Sequence, residues 1–194
     1  MKHDSGDKVG TKSLILQATL SLLETQGLQK VTVRKIAVHA GVNVAAVNYH
    51  FGTKDQAVFA ALQSLRSRFG QAFEHLESSQ LPPRARLIAF MTVYCDTVFA
   101  YPNLVKAFVN QSLNAEIQQD YAAFVRREGL ALITQTLAEI QPLDEETLKM
   151  RAFQLMSSLV LILLVGTMTG PVIGIDFTDP DVRTRYMDTI VPQA

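Results

Sequence analysis

Apolar positions recur along this chain at three- and four-residue spacing almost from end to end. Leu14, Ala18 and Leu22, with Ile15 and Leu23 beside them, form one stripe. Thr11 stands where a cap would and Gly27 closes the run, so a first helix is predicted over about 12–26. Thr32 can cap a short second helix over Val33–Ala40 with Ile36 and Ala37 facing inward, and Gly41 supplies the turn into a third, from Asn43 to His50. Thr53-Lys54-Asp55-Gln56 has the spacing of a capping box and opens a long helix reaching about Glu77. Pro82-Pro83 breaks the chain there. Further helices are predicted near 84–100, 103–112, 115–140, 144–169 and 180–190, punctuated by Tyr101-Pro102-Asn103, Gln141-Pro142, Gly170-Pro171 and Asp179-Pro180. Val172–Phe177 is the only strand-like run, and a lone strand has nothing to pair with, so the fold class is all-α. The expected organisation is a small head over 10–54, a connecting long helix over 55–80 and a larger helical body over 81–194.

With 194 residues, 48% of them hydrophobic and 19% charged, the chain has enough apolar surface for a packed core, which excludes a disordered or collagen-like polymer. Its single cysteine, Cys95, cannot pair within the chain, so a disulfide-stapled secreted class is not expected and a reducing cytoplasm is. The first residues are polar and lack the apolar core of a secretory signal, so no export is expected. From Ala152 to Ile175 run 24 residues without a charge, long enough to span a bilayer. Gln154, Ser157, Ser158, Thr167, Thr169 and the break at Gly170-Pro171 argue instead for a helix buried in protein, and no membrane contact is expected.

Lys+Arg and Asp+Glu are each 18, yet the neutral sum conceals a split: residues 1–54 carry seven basic side chains against three acidic ones. A polyanion would therefore meet the head. Residues 32–51 have the spacing of a helix-turn-helix, two helices of about two turns joined at a glycine, with small Ala37 allowing a close crossing over Ile36, Val42 and Val47. The outward face of the second helix then carries Asn43, Val44, Ala45, Ala46, Asn48 and Tyr49, small, apolar or amide-bearing groups that a major groove admits.

Over about residues 10–70 the chain resembles the TetR (tetracycline-repressor-like) transcriptional regulators, through Thr-x-Arg-x-Ile-Ala-x-x-Ala-Gly-Val at 32–42 and Tyr-His-Phe-x-x-Lys at 49–54. The resemblance implies a homodimer with an N-terminal three-helix domain that binds a double-stranded DNA operator and a larger helical domain that binds a small effector. It also implies phosphate contacts from Thr32, Tyr49, His50 and Lys54, and a position at Arg34 that can reach a guanine. Val44-Ala45-Ala46 and Asn48 depart from the more polar or aromatic residues common there, so the resemblance does not specify an operator sequence.

Elsewhere no sequence-local metal spacing, phosphate loop or nucleophile elbow occurs, and neither an enzyme nor a cofactor is expected. The body is rich in Phe, Met and Tyr; most belong to a core, but Met91, Tyr94, Phe108 and Phe124 are candidates to line an apolar effector cavity. The helix at 144–169 is apolar all round and needs cover on two sides. A homodimer through it and the helix at 115–140 is expected, with Leu155, Leu159 and Ile162 near the seam and Gly166 allowing close approach. The function expected is thus a dimeric, effector-released repressor; the alternative is a helix-turn-helix architectural or protein-partnered regulator without a small-molecule effector.

Overall fold

The computed structural model describes residues 5–109, 119, 123–166 and 174–193, with side chains undescribed at 5–9, 108–109, 126 and 163–166. These residues form α1 (Ser5–Gln26), α2 (Val33–Ala40), α3 (Val44–Phe51), α4 (Lys54–Glu74), α5 (Pro83–Ala100), α6 (Pro102–Val109), α7 (Leu130–Ile140), α8 (Glu145–Gly166) and α9 (Pro180–Ile190). Short 3-10 turns follow α1 and α4, and a π-helical turn, Val125–Gly129, leads into α7. The fold is all-α, and no helix among the described residues is long and apolar enough to cross a membrane. The chain divides into two compact units: one holds the residues up to Ser67 and a segment beginning at Asn103, the other Arg68–Pro102 and the described residues from 119 onward.

In the first unit most of the stripe on α1 is buried, with Ile15, Ala18, Leu22 and Leu23 at most 5% exposed, but Leu14, expected to lead it, is 51% exposed and lies off the buried face. The helix starts earlier than expected, at Ser5, so Thr11 lies inside it and does not mark its start. Gly6 and Gly10 weaken a helix there without breaking it. At the other end, Glu24 receives the backbone N–H groups of Asn103 and Leu104, both at 2.9 Å, at the start of α6.

In the second unit α5 buries Leu87, Phe90, Met91, Tyr94, Cys95 and Val98, an unbroken i, i+3, i+4 pattern. Phe73 stands amid rings, with centroids 4.6 Å from Phe90, 5.1 Å from Phe124 and 6.3 Å from Tyr94. The π-helical turn passes directly over it: a Cβ on Gly129 would lie 2.7 Å from the Phe73 ring, so only glycine fits. Asp144 caps α8 by accepting the Thr147 N–H at 2.9 Å, and Asp179 with Pro180 starts α9. Arg183 on α9 is buried with its guanidinium 2.7 Å from Asp96 on α5, donating also to the carbonyls of Phe177 and Thr178 and lying over the Phe99 ring. That environment satisfies a buried cation on several sides.

The residues expected near a seam on α8 are covered by the chain itself. Leu155, Leu159 and Ile162 are 6, 1 and 5% exposed, on the face that also buries Leu148, Ala152 and Met156 within the chain. The opposite face carries Met150, Phe153 and Leu161, which are 55, 67 and 61% exposed. A helix apolar all round gives no periodic signal for which stripe its own domain covers. Gly166 ends the described part of α8, and of the strand-like run at 172–177 the described residues, 174–177, contribute no strand element.

Candidate nucleic-acid interface

Three caps shape the head. The Thr32 hydroxyl oxygen accepts the Lys35 N–H at 3.3 Å and opens α2. At the far end Gly41 takes the left-handed conformation, φ 68°, while its N–H reaches the Val38 carbonyl and the Val42 N–H reaches Ala37. This paired closure ends one helix and directs the chain into the next within three residues. Asn43 then opens α3 by accepting the Ala46 N–H on its Oδ1 at 2.8 Å. Beyond α3, Thr53 and Gln56 form the reciprocal capping box, each side chain accepting the other's backbone N–H at 3.2 Å. Gly52 before it takes φ 72°, which side-chain-bearing residues rarely adopt, and a Cβ there would fall 2.6 Å from the Gln56 Oε1 and displace the atom that closes the cap.

The two helices meet over Ile36, Ala37 and Val47, each at most 2% exposed, with Phe51 completing the packing and Val42 half-buried. Burial of Val47 and Phe51 fixes the rotation of α3 and turns the opposite face outward. That face presents Val44, Ala45, Asn48 and Tyr49, all exposed, with Tyr49 at 72%; Ala46 is half-buried. The Tyr49 ring meets His50 edge to face at 5.2 Å instead of packing into the core.

The cations of this surface divide into committed and available ones. Lys35 is tied to the Gln26 side chain and the Lys30 carbonyl at 2.7 and 2.9 Å. Arg34, one residue earlier and exposed, has no side-chain partner among the described residues. Lys54 lies at the start of α4, its Nζ 3.5 Å from Asp55, and is still 37% exposed. Thr32 uses its oxygen lone pair for the cap, which leaves its O–H free to donate outward. Thr32, Arg34, Asn43, Val44, Ala45, Ala46, Asn48, Tyr49 and His50 thus fall on α2, α3 or the turns around them, and Lys54 on the first turn of α4. The double use of Asn43 as a cap is legible in its position one residue before the helix.

The candidate effector residues are placed differently. Met91 is fully buried and Tyr94 is 7% exposed, both on α5, and Tyr94 packs with Phe69, Phe73 and Phe90 in the ring cluster. Phe124 adds to that cluster from the other side of Phe73, while the side chain of Phe108 lies outside the described residues. Among the described residues no cluster of His, Cys, Asp or Glu could hold a metal ion.

Residues 15–61 match the profile of the bacterial regulatory proteins of the tetR family. The HTH-type transcriptional regulator BetI of Brucella anthropi is 25% identical over 123 residues, 61% of this chain and 63% of that protein. The HTH-type transcriptional repressor KstR2 of Rhodococcus jostii is 26% identical over 108 residues, 56% of this chain and 53% of its own length. The matched regions thus span between about half and two thirds of these curated relatives. A TetR/AcrR-family regulator of Thermobifida fusca superposes with a TM-score of 0.66 at 16% identity, over 93% of this chain and 95% of that one, a likeness of fold.

Proposed function

We propose that the chain, whose residues 15–61 match the tetR family of bacterial regulatory proteins, is a cytoplasmic transcriptional repressor that binds a palindromic double-stranded operator as a homodimer and is released by a small, largely apolar effector. DNA binding falls to residues 10–54, connection to 55–80, and effector binding and dimerisation to 81–194. The observation that carries this reading is the rotation of α3, with Val47 and Phe51 buried and Val44, Ala45, Asn48 and Tyr49 left outward beside an exposed Arg34. Thr32, Tyr49, His50 and Lys54 contact phosphates and set the register, while Arg34 and Asn48 reach base edges.

The homodimer rests on α8, whose outward stripe of Met150, Phe153 and Leu161 leaves large apolar side chains in water. Phe153 also borders an open groove of about 610 Å³ between α7 and α8, lined by Leu130, Thr134 and Leu148 among others. A two-fold partner laid along this face covers the stripe and supplies the second cover that an all-round apolar helix requires. Leu155, Leu159 and Ile162 then back the seam from inside each copy, and Gly166 lets the helix ends approach.

Effector binding is assigned to Met91, Tyr94, Phe108 and Phe124. α4 starts at the head and ends at Glu74, next to Phe73 of the ring cluster, so a ligand that rearranges the cluster can shift α4 and the two recognition helices with it. The ligand acts only through its preference for the released state, and a tenfold loss of operator affinity needs about 1.4 kcal/mol. The tight packing around Phe73 favours a second reading, a regulator without an effector. Titration of a selected operator duplex with and without a ligand shown to bind the purified chain decides between them. The repressor reading expects tight, salt-sensitive binding to paired half-sites about 34–36 Å apart, weakened by ligand. No preference for any duplex over random DNA would reject DNA-sequence recognition; unchanged operator affinity at saturating ligand would leave the effector-free regulator.

A further inference from the structure

We propose that the half-site beneath α3 is built of A·T pairs, read by the Asn48 amide and by apolar contact of Val44 and Ala45 with thymine methyl groups. This rests on the assignment of α3 as the recognition helix. Four side chains are exposed on that helix, at positions 44, 45, 48 and 49, which share one face, and none of them is a cation or a carboxylate. Guanine is read in the major groove chiefly by Arg or Lys, and cytosine by accepting from its amino group, so this face lacks the groups that favour a G·C pair. Adenine needs a neutral donor and acceptor together, facing N7 and the 6-amino group, and a thymine methyl needs an apolar neighbour.

Two asparagines could supply that amide, and the structure separates them. The Oδ1 of Asn43 already accepts the Ala46 N–H at 2.8 Å, which holds its acceptor in the helix cap. A bidentate pair with adenine requires that oxygen and the N–H donors to be aimed together. The cap occupies one lone pair and fixes the amide's orientation toward its own helix, so Asn43 is not free to turn onto a base and its donors suit phosphate. Asn48 has no such commitment among the described residues and stands exposed in the middle of the outward face. Val44, 42% exposed in the first turn, and Ala45 flank it with methyl groups. Arg34, the exposed guanidinium of the motif, belongs to α2, so a guanine contact falls outside the stretch that α3 covers.

The test selects duplexes from a random library with the purified full chain, then measures binding to the enriched site and its variants. Asn48→Ala is expected to lose about five- to 150-fold at an A·T pair and to level the preference there. Asn43→Ser keeps a capping oxygen but loses the amide donors, so it should weaken selected and random duplexes alike without shifting base preference. Replacing a contacted thymine by uracil, which removes the methyl alone, should cost about fourfold. Enrichment of G·C pairs at the positions that respond to Asn48→Ala, a shift of base preference in Asn43→Ser, or indifference to uracil at every thymine would overturn the inference while DNA recognition stands. Failure to enrich any sequence would overturn recognition by α3 itself, and with it this assignment.

Discussion

The carboxylate of Glu24, in the last turns of α1, holds the first two backbone N–H groups past Pro102, those of Asn103 and Leu104, each at 2.9 Å. Both lie in the opening turn of α6, where backbone donors have no partner within the helix and a negative charge meets the positive end of the dipole. The Asn103 side chain returns a bond to the Glu24 carbonyl at 3.3 Å, so the end of one helix and the start of another, 79 residues apart, are tied three times. Leu104 and Val105 are buried beside this junction. Glu24→Ala should lower stability by about 1.5–3 kcal/mol, the range for hydrogen bonds to a charged group. Glu24→Gln keeps acceptor oxygen without the charge and should fall between the two. Denaturant unfolding gives the order, and faster exchange of the Leu104 amide in Glu24→Ala locates the loss; equal midpoints for all three would exclude it.

Gly129 and Gly70 offer a paired test of packing in one unit. A Cβ at Gly129 meets the Phe73 ring at 2.7 Å, and Phe73 is 2% exposed and held by Phe90 and Phe124, so the ring cannot step aside cheaply. Gly129→Ala should destabilise by about 1–3 kcal/mol. A Cβ at Gly70, within α4 and four residues before its end, meets nothing within 4 Å, so Gly70→Ala removes a helix-weakening residue without a clash. It should stabilise by about 0.5–1 kcal/mol. Thermal midpoints moving the same way in both variants would contradict this account.

Cys95 is 2% exposed, and burial pushes its thiol from 9.0 up to about 12, with Arg183 opposing the rise and Asp96 adding to it. Because the folded state holds the neutral thiol more tightly than the unfolded chain does, its contribution is complete below pH 9.0 and is lost as pH rises toward about 12. Stability should therefore fall above pH 9.0 by at most about 1.4 kcal/mol per pH unit from this group. Cys95→Ala should show a shallower decline in that window while starting less stable at neutral pH through the lost packing. A thiol reagent at pH 8 should label the protein only under denaturing conditions; rapid labelling of the native chain would contradict the burial.

What could be read from the chain in advance was mostly local. The caps at Thr32, Asn43 and Thr53 each depend on a side chain and an amide two or three residues away, and all three are present. Thr11 misled for the same reason: a residue able to cap does so only where the chain behind it leaves the helix, and here it continues back to Ser5. The orientation of α3 was legible because Val47 and Phe51 recur at helical spacing between polar residues. By contrast α8 is apolar on both faces, so Leu155 and Leu159 inside could not be told from Phe153 and Leu161 outside until their neighbours were known. Met91 and Tyr94 posed a similar problem, since a core and a cavity wall draw on the same residue types. The Arg183–Asp96 pair spans 87 residues and has no local signature at all.

The two faces of α8 should respond differently to substitution. Phe153→Glu and Leu161→Glu together place charges on side chains already in water, so the isolated fold keeps its contacts while a covered seam does not. The native chain is expected to sediment as a dimer at micromolar concentration and this double variant as a monomer. Leu159→Ala, at 1% exposure, should instead lower unfolding stability by about 2–5 kcal/mol through the cavity it leaves. A double variant that remains dimeric would move the seam off this face.

Lys54 and Arg34 separate positioning from reading on the DNA-binding surface. The Lys54 ammonium stands in the first turn of α4, where unpaired N–H groups and the helix dipole also favour an anion, and Asp55 at 3.5 Å competes for it. A phosphate contact carries no base information, so Lys54→Ala should weaken selected and random duplexes by the same factor. The slope of log affinity against log salt should also flatten by about one counterion per subunit. Asp55→Asn removes the competitor and should strengthen both classes of duplex together. Arg34→Ala instead removes an exposed guanidinium, the group suited to bidentate contact with guanine, and should cost about 1–3 kcal/mol at one base pair while leaving random DNA less affected. Binding isotherms over a range of salt for the four proteins resolve these effects. An unchanged salt slope in Lys54→Ala would remove the phosphate role, and a uniform loss in Arg34→Ala would make that residue a second backbone contact.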